Sequence, residues 1–580
     1  MKRSLIYSIV FSMFFVILSA CESQEPVTDN GKVDDSGEGS LPARVTSLQK
    51  SIVKGEPDNG ARIVWDHPSM VKISEECGGY SRVIKLQDGS YMATYEACNG
   101  NIVIRRSYDG GLTWPKDMEQ RIVPTYFVPT SKGNVAMRPA MPFLCQLEDG
   151  TILCANNFCP QTPGLVPYSI AVSRSVDNGK TWTPREIVYE GGCIFEDGCW
   201  EPAILQLPDG EVHLYIANEA PYSTSNKQEI SFFTSTDSGK TWSRDFRTAS
   251  IRSTGRDGMP CPCIFDDEIV IIVEDIFHVE LKPTTVRCKV SEKWSTPVTD
   301  NSPGRDYNVT NIPLDKYAGA PYIVKLYSGE AVISYQTVDN PEGITSMDVA
   351  IGDKHARNFG RRTQPFGNLV GNSSMWNSLC VLDEYTIGAV GALSGTNITW
   401  PVLKRGHVMA GIKAEKDAVS KWPIYIGNDG EETLSAGIAV NDKEVIFDIK
   451  VKDSELTDNA DHPDAVEIYF DSADKAWAKP YKGVFRIIAD PFENVRIWEG
   501  NNGKWNEIDP SNVTVTVTET AGGYDMKVRL NREFIPKMNT RSVRVGMTLS
   551  AYNDGGKGFS ESVVYMGVTN PCTWLQIQLP

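Results

Sequence analysis

The sequence predicts an all-β protein in which a six-bladed β-propeller is followed by a β-sandwich. Three observations predict it: an eight-residue motif that occurs three times, a strand–turn–strand pattern that recurs six times, and alternating strands without either repeat in the last third of the chain. With 48 Gly, 34 Pro, 22 Tyr and 13 Trp among 580 residues, the composition suits a turn-rich β protein. A chain of this length exceeds a single core, so we expect at least two domains.

The eight-residue motif has the pattern S-x-D-x-G-x-T-W. Its copies are residues 107–114, 175–182 and 235–242. This is the chemistry of a hairpin turn, in which the Asp accepts backbone N–H groups, the Gly takes an unusual φ and the Trp packs between neighbouring sheets. The motif resembles the Asp box of the sialidase-type propellers. We therefore expect Asp109, Asp177 and Asp237 to be structural rather than catalytic.

A weaker repeat counts the blades. An apolar strand, a turn and a second apolar strand recur with turn positions at 88, 149, 209, 267, 328 and 384, at intervals of 56 to 61 residues. A hairpin repeated at this period is the sequence sign of propeller blades. Six copies predict six blades, in a propeller domain of residues 46–405.

The same count predicts which residues surround the central channel, where propellers bind ligands. Each turn joins the innermost strand of a blade to the next one, so the start of the first strand and the end of the second meet at one end of the propeller. The residues about eight before each turn are Tyr80, Met141, Glu201, Met259, Ala320 and Trp376. Those about seven after a turn include Glu96, Asn157, Glu274 or Asp275, and Gln336.

Four carboxylates converge on that end: Glu201, Glu219, Asp257 and Glu274. Glycoside hydrolysis needs two carboxyl groups, one as acid and the other as base or nucleophile. Glu201 and Glu274 come from neighbouring blades and form the favoured pair, while Glu219 and Asp257 are expected to orient a substrate hydroxyl or a catalytic partner. The alternatives are that Glu201 is a turn residue before Pro202 and that Glu274 is a buried partner of Arg256.

The resemblance to sialidases does not extend to their catalytic groups. Sialidases use a cluster of Arg for the sialic-acid carboxylate and a Tyr nucleophile in the last blade. Here Gly79-Tyr-Ser-Arg82-Val supplies one fitting Arg, but Trp376 stands near the position expected for the Tyr. Glu274-Asp275 occupies the position expected for the second Arg. Sialidase machinery is therefore largely missing from the sequence.

The blade motifs look more like the exo-arabinanases of glycoside hydrolase family 93, which share the six-bladed fold. The resembling stretches are Gly198-Cys-Trp-Glu-Pro202, Gly255-Arg-Asp-Gly-Met-Pro260, Ala318-Gly-Ala-Pro-Tyr322, Ser334-Tyr-Gln336 and Met375-Trp-Asn-Ser-Leu379. The resemblance implies that Glu201 and Glu274 are the catalytic pair, assisted by the phenol of Tyr322 or Tyr335.

Other residues of these motifs are expected to bind the substrate. They are Arg82, Trp200, Glu219, Arg256, Asp257 and Trp376. Trp200 and Trp376 would offer apolar faces to a sugar ring if exposed, and core packing is the equally weighted alternative for each. A neutral pocket suits an uncharged pentose or hexose better than an acid sugar.

Residues 406–580 are predicted to form the β-sandwich, because alternating strands continue there while the Asp-box rhythm stops. Asp464-Ala-Val-Glu-Ile-Tyr-Phe-Asp471 resembles a signature strand of family 9 carbohydrate-binding modules. That resemblance implies sugar binding between aromatic faces, with core packing at least as favoured for each aromatic. The candidates are Trp477, Trp498, Trp505 and Trp574. Asp458-Asn-Ala-Asp461 could bind a structural Ca²⁺, although a solvated loop is the favoured interpretation.

The N-terminus has the pattern of a lipoprotein signal peptide. Lys2 and Arg3 precede an almost wholly apolar stretch, and Leu18-Ser-Ala-Cys21 resembles a lipobox. The stretch is short for a membrane span and polar residues follow it. We expect a signal peptide over residues 1–21, lipid on Cys21, and a disordered tether over residues 22–45. The lipid would anchor the protein to a bacterial membrane, most simply the outer membrane, facing the periplasm or cell surface; an ordinary secretory signal is the alternative.

Charge and metal-ligating residues limit the partners. The formal net charge is −17 and no basic run follows the N-terminus, so nucleic acid is not an expected partner. The Cys spacings fit no zinc module and the six His are scattered, so no catalytic metal or cofactor is expected. Disulfides and buried free thiols are both open for the Cys residues.

These observations predict an exo-acting glycoside hydrolase that cleaves a terminal sugar or short unit from a plant or host polysaccharide. One alternative is a non-catalytic, surface glycan-binding lipoprotein, and a second is an exo-α-sialidase. The sequence names neither the sugar nor the linkage.

Overall fold

The computed structural model describes residues 61–66, 69–277, 280–310, 312–339, 343–367, 373–394, 399–428, 431–458, 463–475, 480–553, 558–563, 571 and 574–580. The predicted signal peptide with Cys21, the tether, Trp477 and Asp461 lie outside these ranges. Within them the chain forms β-strands and short 3₁₀ helices, which confirms the predicted all-β class. None of the helices described is long and apolar enough to cross a membrane.

Six antiparallel sheets form the blades of a propeller. Blade 1 contains Gly78–Lys85, Tyr91–Ala97, Asn101–Ser107 and Gln120–Val123. Blade 2 contains Tyr126–Thr130, Gly133–Gln146, Ile152–Pro160, Ser169–Ser175 and Glu186–Glu190. Blade 3 contains Cys199–Gln206, Val212–Asn218, Glu229–Ser235 and Arg247–Ser250. Blade 4 contains Asp257–Phe265, Glu268–Phe277, Glu280–Lys289 and Arg305–Asp306. Blade 5 contains Ala318–Lys325, Ala331–Thr337, Ser346–Ile351 and Gly360–Thr363. Blade 6 contains Ser373–Asp383, Thr386–Ser394, Thr399–Ala410, Ala61–Trp65 and Val71–Lys72.

The propeller closes by joining its two chain ends in blade 6. The innermost strands of successive blades pack against one another, and that of blade 6 packs against that of blade 1. The outermost strand of blade 6 is Ala61–Trp65, which pairs with Thr399–Ala410 from Ala61↔Ala410 to Trp65↔Gly406. This pairing uses the last five residues of Thr399–Ala410. Blade 6 therefore continues to Ala410, past the predicted boundary at residue 405.

The three Asp boxes are hairpin turns whose Asp side chains bond within their own turn. In the second copy, Asp177 accepts the N–H of Thr181 at 2.9 Å, the Thr181 hydroxyl and the Ser175 hydroxyl. The Thr181 contacts hold the pKa of Asp177 at about 2, well below its ordinary value. Asp109 and Asp237 make the equivalent contacts. These contacts account for the motif without any chemistry.

Every innermost strand has a β-bulge at an equivalent position, and that of blade 6 has a second irregularity between Val381 and Asp383. Six non-glycine residues there have a φ between 46° and 54°, namely Tyr80, Met141, Glu201, Met259, Ala320 and Trp376. They are the six residues that the turn count places at the channel. In blades 2 to 5 the following residue is Pro, which is tolerated inside a sheet mainly at bulges and edges. Left-handed backbone at non-glycine residues is strained, and it recurs in all six blades around one end of the channel. We call this end the channel mouth.

The C-terminal region is a sandwich of two sheets. One sheet contains Ile412–Lys413, Ala465–Asp471, Val484–Ala489, Val495–Asn501, Lys504–Ile508, Ser542–Asn553, Gly558–Val563 and Leu575–Gln578. The other contains Glu415–Lys416, Ile424–Asn428, Glu431–Val440, Glu444–Lys452, Val513–Thr520 and Gly523–Asn531. The strand Gly523–Asn531 shows the underlying pattern, since Tyr524, Met526, Val528 and Leu530 are buried while Asp525 and Lys527 are exposed. The predicted propeller and sandwich are thus both present.

The described tryptophans of the sandwich differ in their surroundings. Trp574 is buried in the apolar core, which agrees with the core-packing alternative and not with sugar binding. Trp505 packs beside Tyr469, with ring centroids 6.3 Å apart. The Trp498 ring has the guanidinium groups of Arg486 and Arg496 at 5.1 and 4.7 Å from its centroid. Carbohydrate binding by the sandwich stays a prediction.

Short 3₁₀ helices connect some of the strands, and a disulfide joins two cysteines of blade 1. The 3₁₀ helices are Lys116–Met118, Phe195–Asp197, Ala220–Tyr222, Pro510–Asn512 and Arg532–Phe534. Cys77 and Cys98 form a disulfide that joins the start and end of the first hairpin of blade 1. The other cysteines within the described ranges have free thiols.

Candidate active site

Three blades share a pairing of glycine with a long polar residue at the channel mouth. Gly79 pairs with Glu96, Gly258 with Glu274, and Gly319 with Gln336, in each case just before the bulge. Residues directly opposite each other in an antiparallel pair share a face of the sheet. Because glycine has no side chain, the long polar side chain can pass over the innermost strand at the glycine.

These side chains reach the next blade, where each accepts the N–H of a bulge residue. Glu96 Oε1 accepts from Met141 at 2.6 Å, Glu274 Oε2 from Ala320 at 2.8 Å, and Gln336 Oε1 from Trp376 at 2.9 Å. Glu201, itself a bulge residue, accepts from Met259 at 3.2 Å. The bulges would otherwise leave these N–H groups without a ladder partner. The carboxylates are therefore fixed in a ring around the mouth.

The carboxyl groups of Glu201 and Glu274 lie side by side, because they contact two consecutive residues of blade 4, Gly258 and Met259. Glu201 Oε2 is bound to the N–H of Met259, and Glu274 Oε1 is 3.3 Å from the position of a Cβ on Gly258. Both glutamates are partly exposed. The predicted pair is thus brought together at the channel mouth.

The two carboxyl groups do not both ionise at neutral pH. Burial, and next the charge of Glu274, raise the pKa of Glu201 to about 8, and the positive charge of Arg256 opposes this. Burial also raises the pKa of Glu274, against the hydrogen bond from Ala320 and the charge of Arg256. One proton therefore stays on the pair near pH 7.

Arg256 pairs with Glu219 rather than with Glu274. The Glu219 carboxylate makes an ion pair with Arg256 and accepts the Trp200 Nε1–H at 2.8 Å. Burial raises the pKa of Glu219, and Arg256 opposes this. The alternative in which Glu274 is a structural partner of Arg256 does not agree with this geometry. Arg256 lies close enough to influence all three glutamates.

Trp200 is a core residue, so of its two equally weighted interpretations the structure agrees with core packing and not with stacking on a sugar. Only 5 % of its surface is exposed, and its ring lies between Tyr168 and Phe195, with centroids 4.8 and 4.7 Å away. Phe195 lies in the 3₁₀ helix Phe195–Asp197, just ahead of blade 3, and covers the ring from there.

Asp257 faces away from the channel mouth, so its predicted substrate contact was wrong. It is fully buried, with Arg305 at 2.6 Å and the Ser250 hydroxyl at 2.7 Å. Arg305 also pairs with Asp275, at 3.1 Å. Because successive residues of a strand point to opposite faces, Asp257 and Asp275 lie behind Gly258 and Glu274. Burial, followed by the charge of Asp257, raises the pKa of Asp275 to about 7.

A phenol close to Glu274 belongs to Tyr317, a residue that was not among the candidates predicted from the sequence. A Cβ on Gly319 would lie 2.7 Å from Tyr317 Oη and 2.9 Å from Glu274 Oε2, so both oxygens cover the same glycine. Gln336 Nε2 donates to Tyr317 Oη at 2.6 Å. The phenol hydrogen is then free to point toward Glu274 or a ligand. Tyr317 directly precedes the motif Ala318-Gly-Ala-Pro-Tyr322, which is the signal that could have found it.

The two tyrosines that were predicted lie elsewhere. Tyr335 is fully buried in the core of blade 5. Tyr322 lies below the bulge ring, with its ring centroid 6.3 Å from that of Phe143 in the opposite blade. Neither lies beside the glutamate pair. Tyr335 follows strand alternation, since the next residue, Gln336, is the one that faces the mouth, and Tyr322 lies past the bulge of the innermost strand.

Tyr80 lies on the blade 1 side of the mouth. Arg82, two residues further along the strand, lies below it beside Tyr322, with the guanidinium 5.2 Å from that ring's centroid. The Arg82 guanidinium lies 4.2 Å from the Tyr80 ring centroid and donates to the Trp376 carbonyl at 3.1 Å. Burial raises the pKa of Tyr80. The negative charges of Glu201, Glu96 and Glu274 raise this pKa further. Tyr80 and Glu96 thus belong to the site. The count from the turns placed both at the channel, but neither was chosen as a candidate catalytic or binding residue.

Trp376 lies at the rim of the mouth. It is partly exposed, and its ring lies 3.6 Å from the position of a Cβ on Gly79. Of the two predicted stacking residues, it is the one that presents some surface. In the described ranges, no group of three His, Cys, Asp or Glu side chains is arranged to hold a metal ion.

Comparison with known proteins gives a likeness of fold. No protein-family model and no curated protein matches the chain. A protein of unknown function from Dyadobacter fermentans is 14 % identical over 60 % of this chain and 98 % of its own, with a TM-score of 0.44. The family 93 α-L-arabinofuranosidase of Fusarium graminearum, in complex with arabinobiose, is 20 % identical over 60 % of this chain and 95 % of its own, with a TM-score of 0.43. Trypanosoma rangeli sialidase is 11 % identical over 89 % of this chain and 98 % of its own, with a TM-score of 0.38.

Proposed function

We propose that the chain is an exo-acting glycoside hydrolase that removes a terminal sugar or short unit from a plant or host polysaccharide. One observation carries the proposal: Glu201 and Glu274 lie side by side at the channel mouth, partly exposed, and share a proton near neutral pH. Glycosidases need such a pair, with one carboxyl protonated and the other ionised.

The surroundings of each glutamate suggest its role. Glu201, with a pKa of about 8, is the general acid that protonates the departing oxygen. Glu274 is the ionised partner, favoured by the N–H of Ala320 and the charge of Arg256. Its negative charge stabilises the oxocarbenium-like transition state as base or nucleophile. Tyr317, beside Glu274, supplies a further hydrogen-bond donor.

The charges at the mouth favour an uncharged sugar. Arg256 is neutralised by Glu219, and Arg82 stacks on Tyr80 while bonding to backbone carbonyls. Because one proton stays on the glutamate pair, the remaining carboxylate charges are balanced by Arg82, Arg138 and Arg256. The region is therefore close to neutral, which suits an uncharged sugar. This arrangement supports hydrolysis of a neutral sugar over the sialidase alternative.

The experiment that tests the proposal is a screen of the purified protein against arabinan, rhamnogalacturonan and sialylated substrates. We expect release of a single terminal product from one neutral polysaccharide, and loss of at least about 1,000-fold in kcat for Glu201→Gln and Glu274→Gln. Glu186→Gln, an exposed glutamate on the outer strand of blade 2, is the matched control. Binding without hydrolysis by the wild type would instead establish the glycan-binding alternative, and release of sialic acid the sialidase.

We propose further that lipid on Cys21 holds the protein at a bacterial outer membrane. The lipobox-like sequence and the polar tether that follows it support this. Cys21→Ser should move the protein from the membrane fraction to the soluble fraction and abolish incorporation of labelled fatty acid. Retention of the label by the Ser variant would contradict the proposal.

A further inference from the structure

Blade 2 differs from the other blades at the channel mouth. Its innermost strand begins at Gly133, far ahead of the bulge at Met141, whereas in the other five blades this strand begins two or three residues before the bulge. The additional strand Tyr126–Thr130 pairs with its first part, from Thr130↔Gly133 to Tyr126↔Met137. The resulting hairpin stands above the mouth and continues a strand that forms part of the mouth.

One face of this hairpin is fixed to the protein core. Val135 and Met137 are buried there. Tyr126 packs edge-on against Phe158, with centroids 4.9 Å apart, and the Arg185 guanidinium covers the Tyr126 ring at 3.5 Å. The hairpin is therefore held in one orientation.

The other face presents an aromatic side chain to solvent. Phe127 is 64 % exposed and pairs with Ala136, which shares its face with Arg138 two residues later. Arg138 lies near Glu96 and lowers the pKa of that carboxyl against the effect of burial. Glu96 in turn holds the N–H of Met141 at the mouth. The Phe127 face is thus continuous with the wall of the candidate active site.

We propose that this face is a subsite for the leaving-group part of the polysaccharide chain, with Phe127 stacking on a sugar ring. The inference rests on the proposed exo hydrolysis, in which the terminal sugar enters the mouth and the remaining chain projects out of it. At about 3.3 Å per residue, Ala136 lies roughly 16 Å along the strand from Met141, a distance that a chain of several sugars spans.

Physical considerations favour a glycan at this position. Large aromatic rings present an apolar face that fits the C–H face of a neutral sugar. Because the hairpin is already held by Tyr126 and its neighbours, little conformational entropy is lost when a chain binds. The mouth itself holds the polar groups, so Phe127 would add affinity for the polymer without taking part in bond cleavage.

The test compares Phe127→Ala with Tyr108→Ala. Tyr108 is 67 % exposed and lies in an Asp-box turn at the opposite end of blade 1, so it matches Phe127 in size and exposure. Both changes are made in the full chain, with and without Glu201→Gln. Binding is measured as retardation in gels that contain arabinan, rhamnogalacturonan or sialylated mucin. Hydrolysis is measured on the polysaccharide that the wild type cleaves and on the 4-nitrophenyl glycoside of the same sugar.

We expect Phe127→Ala to weaken retardation by up to about tenfold, and to lower the ratio of kcat/KM on the polysaccharide to that on the aryl glycoside by a similar factor. Tyr108→Ala should match the wild type. The subsite is overturned if Phe127→Ala binds every polysaccharide as the wild type does, if it loses equal factors on both substrates, or if no gel retards the wild type. Weakened retardation by Phe127→Ala without any hydrolysis by the wild type would keep the subsite and overturn the catalytic proposal.

Discussion

Gly258 and Glu274 are direct partners across the first two strands of blade 4, and the side chain of Glu274 passes over the glycine. A Cβ at position 258 would lie 3.2 Å from Glu274 Cγ and 2.7 Å from Gln228 Oε1. The bare glycine lets the carboxylate reach the N–H of Ala320 in blade 5. Blade 1 repeats this pairing with Glu96 and blade 5 with Gln336, so in all three blades a glycine lets a long polar side chain reach the next blade.

The first prediction concerns that glycine. Gly258→Ala should displace Glu274 by a fraction of an ångström and lower kcat/KM by about 10- to 100-fold, because catalytic geometry tolerates little displacement. Overpacking should cost about 1–3 kcal/mol in the free energy of unfolding. Enzyme kinetics and urea denaturation measure the two effects. Gly360→Ala is the control, since its Cβ would meet no atom within 4 Å, and equal activity of both variants would contradict the role of Gly258.

The hairpin period predicted the fold and the position of the mouth because both depend on regular strand length. The six residues counted from the turns are the six bulge residues. The bulge itself escaped prediction, and one extra residue reverses which side chains face the ligand. Asp257 and Tyr322 were misplaced for this reason.

Contacts outside the regular strand pattern explain the other differences. Whether a tryptophan near the mouth offers its face depends on what covers it, and Phe195 with Tyr168 covers Trp200. Tyr317 was missed because its relation to Glu274 crosses from blade 5 to blade 4. Such contacts leave no period in the sequence.

The second prediction concerns pH. Glu201 must be protonated to act as the acid, so kcat/KM should fall above about pH 8. Glu274 must be ionised, and because burial raises its pKa, the acidic limb should lie above pH 4.5. A pH–rate profile on an aryl glycoside measures both limbs as properties of the pair. An alkaline limb near pH 5 would show that the acid has an ordinary carboxyl pKa.

The same shift predicts a pH-dependent difference in stability. The pKa of Glu201 is about 8 in the folded chain, above its ordinary value of 4.5, so the folded state holds more protons within that window. Glu201 therefore destabilises the fold increasingly as the pH rises from 4.5 to 8. The Tm of Glu201→Gln, relative to the wild type, should increase between pH 5 and pH 8, while Glu186→Gln shows no such trend. A constant difference in Tm would contradict the raised pKa.

The third prediction distinguishes the three tyrosines. Tyr317→Phe removes the hydroxyl beside Glu274 and should lower kcat by about 10- to 100-fold. It also leaves the buried Gln336 Nε2 without its acceptor, which should cost about 1–3 kcal/mol in the free energy of unfolding. Tyr335→Phe, in the core of blade 5, should leave kcat unchanged. Tyr322→Phe should do the same, since that ring lies below the bulges. If Tyr322→Phe or Tyr335→Phe loses activity while Tyr317→Phe does not, the phenol has been assigned to the wrong residue.

The fourth prediction separates structural from substrate-binding carboxylates. Asp257→Ala would leave the fully buried Arg305 with only Asp275 as an ionic partner, and removing one member of a buried ion pair costs about 3–5 kcal/mol. Urea denaturation should show this loss, while KM of the folded fraction stays near the wild-type value because Asp257 points away from the mouth. Glu219→Gln should behave differently, since it frees Arg256 at the mouth and changes the charge beside Glu201 and Glu274. It should therefore alter the pH profile as well as stability. A stable Asp257→Ala variant with a raised KM would contradict this prediction. It would show that Asp257 contacts the substrate and that its ion pair with Arg305 contributes little to stability.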